Sequence, residues 1–169
     1  NVGFRKSHQH DGRQGEAYIY ICMRCEKPTY FAGDKQVPPP QYGAIVNHLP
    51  PAVESAYAET RNCFLVAAYT AAALMARKLL MNVANHCGAP PGQSFVSYVK
   101  YLSDNHYVPP RTSAWVDHIR EMGNDATHEI PSITKDQATD LLMFVEMLLK
   151  LVFEFPEAHA KAQPAKAQP

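Results

Sequence analysis

The chain has 169 residues, 46% of them hydrophobic, which is enough for one buried core but too short for two domains of ordinary size. Its 16 Lys and Arg residues balance its 16 Asp and Glu residues, and this zero net charge excludes a broadly basic surface for attracting nucleic acid. No apolar run reaches the ~18 residues of a membrane helix, and the first ten residues lack the apolar segment of a signal peptide. We therefore expect a soluble, cytoplasmic protein.

The first 36 residues predict a small β-ribbon. The run AYIYI at residues 17–21 is rich in aromatic and β-branched side chains, which favour a strand, and it leads directly into the Cys22–Cys25 pair of a CxxC motif. Residues 37–48 follow as a proline-rich linker, because three consecutive prolines cannot continue a helix or a central strand.

The CxxC motif raises the question of a metal. Two thiolates are half of a tetrahedral zinc site, and His8 and His10, which precede the strand, are the candidates for the remaining ligands. Both histidines could instead be surface residues near the end of the chain. No thioredoxin-like βαβ pattern surrounds the motif, so a redox role is the weaker interpretation. We expect one structural zinc ion, held at least by Cys22 and Cys25.

Residues 49–156 predict about five helices, because apolar residues recur through them at helical spacing. Pro50 and Pro51 suit the start of the first helix, which is expected to reach about Asn62. A long Ala-rich second helix is stopped by Gly88, and Ser94 is a candidate cap for the third.

The fourth helix is expected to begin near residues 111–113 and to turn four apolar side chains inward: Trp115, Val116, Ile119 and Met122. The last helix begins at Thr134, which with Gln137 matches a capping box, and is expected to run to Pro156. Residues 157–169 contain AKAQP twice, a composition typical of a disordered tail.

The last helix, from Thr134 to Phe155, is apolar over a broad face. We expect that a five-helix bundle of this size cannot bury all of its large apolar side chains alone. These side chains are Leu141, Phe144, Val145, Leu148, Leu149, Val152 and Phe153. We therefore predict a homodimer with this helix at the contact.

Arg120, Asn124 and His128 are spaced four residues apart and would form one polar stripe on a helix. The stripe suits RNA cleavage: His128 can act as general acid or base, Arg120 can stabilise phosphorane charge, and Asn124 can orient either partner. Polar residues at this spacing more often hydrogen-bond to a neighbouring helix or cap a helix end. Asp117, Glu121 or Arg77 could pair with members of the stripe in that case.

Three segments together carry a resemblance to a known family: LPPAVESAYAETRNCFLVAAYTAAALMARKLLMNVA, YVKYLSDNHYVPP and HIREMGNDATHE, followed by a capped hydrophobic terminal helix. The chain resembles domain-of-unknown-function family 4145, which is found alone and attached to restriction-endonuclease subunits and is similar to the HEPN superfamily. The resemblance covers roughly residues 49–156 and implies a HEPN-like helical bundle that is often homodimeric.

Active HEPN members are metal-independent ribonucleases, and the resemblance places Arg120 and His128 at the motif arginine and histidine, with Asn124 between them. The spacing from Arg120 to His128 is longer here than in active members, and His8 and His10 stand where a first Cys pair is expected. We expect a non-catalytic interaction and dimerisation module of a bacterial nucleic-acid-linked defence or stress system. The alternative is a metal-independent ribonuclease that uses Arg120 and His128 on an RNA substrate.

Overall fold

The computed structural model describes residues 3–6, 17–23, 26–124 and 133–162, and the chain divides between Gln41 and Tyr42 into two compact units. The first unit is a small antiparallel sheet and the second is a helical bundle. The predicted fold class, mostly α with a small N-terminal β-ribbon, is confirmed. None of the described helices is long and apolar enough to cross a membrane.

The sheet has four strands in the order β1-β2-β3-β4: Gly3–Lys6, Ala17–Ile21, Pro28–Ala32 and Lys35–Val37. All neighbouring strands are antiparallel, and Tyr20 of β2 pairs with Thr29 of β3. The rings of Tyr20 and Phe31 meet edge to face, with their centroids 5.1 Å apart. The AYIYI run is therefore a strand, as its composition predicts, and it is an inner strand of the sheet.

The helical unit contains α1 to α5, a π-helical segment and a final short helix α6, with a 3₁₀ turn before α4. Their bounds are Pro51–Leu65 for α1, Tyr69–His86 for α2, Phe95–Asp104 for α3, Pro110–Thr112 for the 3₁₀ turn, Ser113–Asn124 for α4, Lys135–Leu149 for α5, Lys150–Glu154 for the π segment and Phe155–Ala162 for α6.

Two predicted helix starts are confirmed by their caps. The Ser94 side chain accepts a hydrogen bond from the backbone N–H of Ser97 at the start of α3. Thr134 and Gln137 form both hydrogen bonds of a capping box at the start of α5. These signals are local, because each side chain bonds to backbone only three residues away.

The prediction that the terminal helix ends at Pro156 is wrong. Helical structure continues through α6 to Ala162, so residues 157–162 belong to a helix rather than to a disordered tail. Pro156 lies inside this continuous helical run, directly after the π segment Lys150–Glu154, whose irregular turn accommodates a residue without an N–H. Residues 163–169 of the predicted tail lie outside the described residues.

The core of the bundle is built around α2, which contacts α1, α3 and α5. Small side chains on α2 let its neighbours approach closely, and seven of its residues are buried: Ala72, Ala73, Ala76, Leu79, Leu80, Val83 and Ala84. From α4, Val116 and Ile119 point inward as predicted.

The apolar face of α5 is also buried inside this one chain. Six of the seven residues that suggested a dimer are at most 6% exposed (Leu141, Phe144, Val145, Leu148, Leu149 and Phe153), and Val152 packs against the core. The stated reason for a dimer through these side chains is therefore wrong, because α2 and its neighbours supply the partner surface. Any contact with a second copy must use other residues.

Candidate functional site

Of the polar stripe, Arg120 is the member whose side chain the structure describes. Its Nη1 donates a hydrogen bond to Asp117 Oδ1 at 3.0 Å, one turn earlier on α4. Its Nε is buried and has no hydrogen-bond partner among the described residues. The backbone of Asn124 ends α4, whereas the Asn124 side chain and all of His128 lie outside the described residues.

The same helix carries a second polar link, from His118 to α5. His118 Nε2 lies 3.5 Å from Asp140 Oδ2, and both side chains are about half exposed. His118 therefore links α4 to α5, whereas Arg120 pairs with a residue of α4 itself. Asp117 is one of the three residues that the sequence offered as partners for the stripe, and it is the one that pairs with Arg120.

The CxxC motif begins in a tight turn after β2. Glu26 N–H donates to the carbonyl of Cys22 at 2.7 Å, and Cys22 N–H donates to the carbonyl of Lys27 at 3.1 Å. Glu26 has a φ of +55°, which lets the chain reverse within these few residues. Cys22 is exposed, while Cys25, His8 and His10 lie outside the described residues. Within the described ranges, no three His, Cys, Asp or Glu residues form a metal-binding group.

A groove of about 380 Å³ lies along the outer face of the terminal helices. Its lining residues are Pro109, Trp115, Met143, Glu146, Met147, Lys150, Leu151 and Phe155. Met143 is 47% exposed and Phe155 is 52% exposed, which is unusual for side chains of this size in a well-packed bundle. Trp115 also lines the groove, and its ring meets Phe144 edge to face with centroids 5.2 Å apart.

The sequence contained a signal for this groove that the periodicity argument missed. Met143, Met147, Leu151 and Phe155 are spaced four residues apart, so they form a second apolar stripe on the same helical run. The much stronger core stripe of α5 hides it, because buried and exposed apolar residues look alike in a sequence.

Residues 42–48, which we call the strap, are bonded to α1 and α5. Arg61 donates from Nε to the carbonyl of Tyr42 at 2.9 Å and from Nη2 to the carbonyl of Gly43 at 2.7 Å. Tyr57 Oη donates to the carbonyl of Ala44 at 3.0 Å. Arg61 is only 8% exposed, so its charge is held among backbone oxygens inside the unit.

Glu146 connects the strap to the groove. Its Oε2 accepts the backbone N–H of Ala44 at 2.8 Å, and its Oε1 accepts Lys150 Nζ at 2.6 Å. Burial alone would raise the pKa of Glu146, but the hydrogen bonds from Lys150 and Ala44 outweigh that effect and leave the pKa below its usual value. Burial, with help from the Glu146 charge, raises the pKa of Tyr57. The carboxylate is therefore ionised and fully engaged at neutral pH.

The family comparison covers most of the helical unit, from within α1 onward. The family described as domain of unknown function (DUF4145) matches residues 58–167, a range that contains the groove and the Arg120 stripe. No curated protein and no solved structure matches the chain. Because the matched range is more than half of its length, the chain belongs to the domain-of-unknown-function family DUF4145.

Proposed function

We propose that this protein is a non-catalytic, HEPN-like interaction and dimerisation module that acts in the cytoplasm in a bacterial nucleic-acid-linked defence or stress system. The observation that carries the proposal is the apolar groove on the terminal helices. The link to defence rests on the resemblance, since proteins of this family also occur attached to restriction-endonuclease subunits.

The groove has the composition of a docking surface. Its apolar stripe is exposed at Met143 and Phe155, and a partner that removed this apolar area from water would be bound favourably. Methionine side chains adapt their shape to a partner, and Trp115 supplies a large aromatic wall. The two charged lining residues, Glu146 and Lys150, are paired with each other, so the groove presents no uncompensated charge.

A second copy of this chain is the occupant we propose. Met143 and Phe155 mark the two ends of the stripe, twelve residues and roughly 18 Å apart along the helical run. In a two-fold pair with antiparallel terminal helices, Phe155 of each copy would meet the Met143 end of the other groove. One face then supplies both the protruding ring and the surface that receives it, as a symmetric interface requires.

The Arg120–Asp117 pair supports a structural role for the polar stripe. A guanidinium that stabilises phosphorane charge must be available to the phosphate, and here one of its Nη donors is committed to a carboxylate on the same helix. We therefore place the ribonuclease alternative second. It predicts RNA cleavage without added metal that is lost in both Arg120→Ala and His128→Ala.

Assembly tests the proposal directly. We expect the purified protein to be a dimer at micromolar concentration by light scattering, and Met143→Glu to shift it to monomer, because the variant places a charge in the apolar contact. Leu74→Glu is the matched control: Leu74 is 59% exposed on α2 and does not line the groove. A monomeric wild type, or equal effects of the two variants, would reject the groove as the dimer contact. RNA cleavage by the wild type that His128→Ala abolishes would favour the ribonuclease.

For the N-terminal unit, we propose one structural zinc ion bound through Cys22 and Cys25, with His8 and His10 as the remaining ligands. The turn after β2 supports this, because Glu26 N–H bonds to the Cys22 carbonyl and Glu26 has a left-handed backbone conformation, as in a tight turn. We expect about one zinc per chain by metal analysis, retained in His106→Ala and lost in Cys22→Ser. A disulfide between Cys22 and Cys25, or a metal-free protein with an intact fold, would contradict the assignment.

A further inference from the structure

The strap is fixed to the terminal helices at three successive points. Ala44 N–H bonds to Glu146 in α5, Asn47 bonds through its backbone N–H and its Nδ2 to Glu154, and Lys161 Nζ lies 3.4 Å from His48 Nδ1. The three contacts follow the chain in order, so the strap lies along one side of the helical run from Glu146 to Lys161.

A regular α-helix would not offer Glu146 and Glu154 to the same strap. Eight residues are about 2.2 turns of α-helix, which leaves the second carboxylate well around the helix from the first. The π segment Lys150–Glu154 lies between them, and each i→i+5 turn takes up about one residue more than an α turn. Because the π turn contains one extra residue, the two carboxylates are close to two full turns apart, and both reach the strap.

The same π segment forms part of the groove. Lys150 and Leu151 belong to it, Phe155 follows it directly, and all three line the groove. The number of residues per turn in this segment sets how far the following residues are rotated about the helix axis, and so where the Phe155 ring lies relative to Trp115. Glu154, which contacts the strap, and Phe155, which lines the groove, are adjacent in the chain. A rotation of one about the helix axis therefore also rotates the other.

We propose that the strap controls the groove: the bonds from Asn47 to Glu154 keep residues 150–154 π-helical and thereby hold Phe155 in the position that a second copy recognises. This inference rests on the dimer role proposed for the groove. Release of the strap removes the fixed position of Glu154, and the packing of Phe153 and the missing N–H of Pro156 are then what oppose a return to the commoner α geometry. If the π turn became an α turn with one residue fewer, α6 would rotate by roughly 100° relative to α5, and Phe155 would move out of the groove.

Two other residues could hold the π segment in place of the strap. Phe153 is 6% exposed, and its ring centroid lies 4.8 Å from that of His86 on α2. Pro156 follows the segment directly and has no N–H for the α-helical bond to the residue four positions earlier. If Phe153 and Pro156 alone set the π geometry, loss of the Glu154 contact leaves the groove unchanged. The two explanations therefore differ in a measurable way.

Trp115 reports the state of the groove without a partner, because it is the one tryptophan of the chain and lines the groove next to the π segment. At a concentration low enough for both proteins to be monomeric, we expect Glu154→Ala to raise the acrylamide quenching of Trp115 and to shift its emission to the red. At micromolar concentration, we expect it to weaken the dimer measured by light scattering. Glu154→Gln keeps a carbonyl oxygen for the Asn47 donors and is expected to behave like the wild type. Glu157→Ala removes an exposed carboxylate from α6 and is the matched control.

Unchanged Trp115 quenching and unchanged dimer affinity in Glu154→Ala, in a protein of normal helix content, would overturn the inference and leave Phe153 and Pro156 as the residues that hold the π segment. A change that Glu157→Ala reproduces would overturn it as well. A wild type that stays monomeric would remove both the dimer proposal and this control of it, whereas a dimer insensitive to Glu154→Ala would remove the control alone.

Discussion

Replacing Phe144 with alanine is expected to lower the free energy of unfolding by about 3–5 kcal/mol, because it removes a fully buried ring and leaves a cavity in the core. Phe144 is 0% exposed and packs edge to face against Trp115, so the cavity would open beneath the groove wall. Urea denaturation followed by circular dichroism measures the loss.

The neighbouring residue supplies the control. Met143 lies one position earlier on α5 but is 47% exposed, so Met143→Ala is expected to change the stability of the monomer by less than about 1 kcal/mol. The two variants should separate the two faces of one helix: Phe144→Ala acts on stability and Met143→Ala on association. If Phe144→Ala instead dissociated a dimer at unchanged monomer stability, the burial of α5 within one chain would be contradicted.

These adjacent residues also show what the sequence can and cannot predict about the terminal helix. Periodicity identified α5 and its cap, since both depend on residues within a turn of each other. It did not reveal how many neighbours cover the helix, because that depends on the close approach of the Ala-rich α2 from about sixty residues earlier in the chain. For this reason the apolar face of α5 seemed larger than one chain could bury, and this suggested a dimer.

The strap was missed for a related reason. Pro38 to Pro40 correctly indicate a break in regular structure, and the prediction extends a linker through residue 48. In the structure the helical unit already begins at Tyr42. Arg61, 19 residues from Tyr42, donates to the strap, and Glu146 and Glu154, 102 and 107 residues from their partners, accept from it. Partners at such separations leave no local signal in the sequence.

One part of the candidate site could be predicted from the sequence, and another part could not. The polar stripe was found because Arg120, Asn124 and His128 recur at one spacing, yet spacing does not say which partner each side chain takes. For Arg120 the partner is Asp117, on its own helix. The groove, in contrast, depends on four apolar residues whose exposure only the packed bundle decides.

Replacing Gly43 with alanine is expected to lower the free energy of unfolding clearly more than replacing Gly92 with alanine. The two glycines have nearly the same backbone conformation, with φ of +78° and +77°, which costs an L side chain about 1–2 kcal/mol at either position. They differ in surroundings: a Cβ on Gly92 meets nothing within 4 Å, whereas one on Gly43 would lie 3.1 Å from Glu146 Oε2 and 3.2 Å from Tyr57 Oη.

The excess cost of Gly43→Ala over Gly92→Ala therefore measures how firmly the strap network is held. Displacing the Glu146 carboxylate from Ala44 leaves a backbone donor and a partly buried charge poorly satisfied, at a further cost of about 1–3 kcal/mol. Thermal or urea unfolding of the two variants gives the difference directly. Equal losses would mean that Glu146 and Tyr57 move aside freely, and a strap so loosely held could not fix the phase of the π segment through its next contact at Glu154.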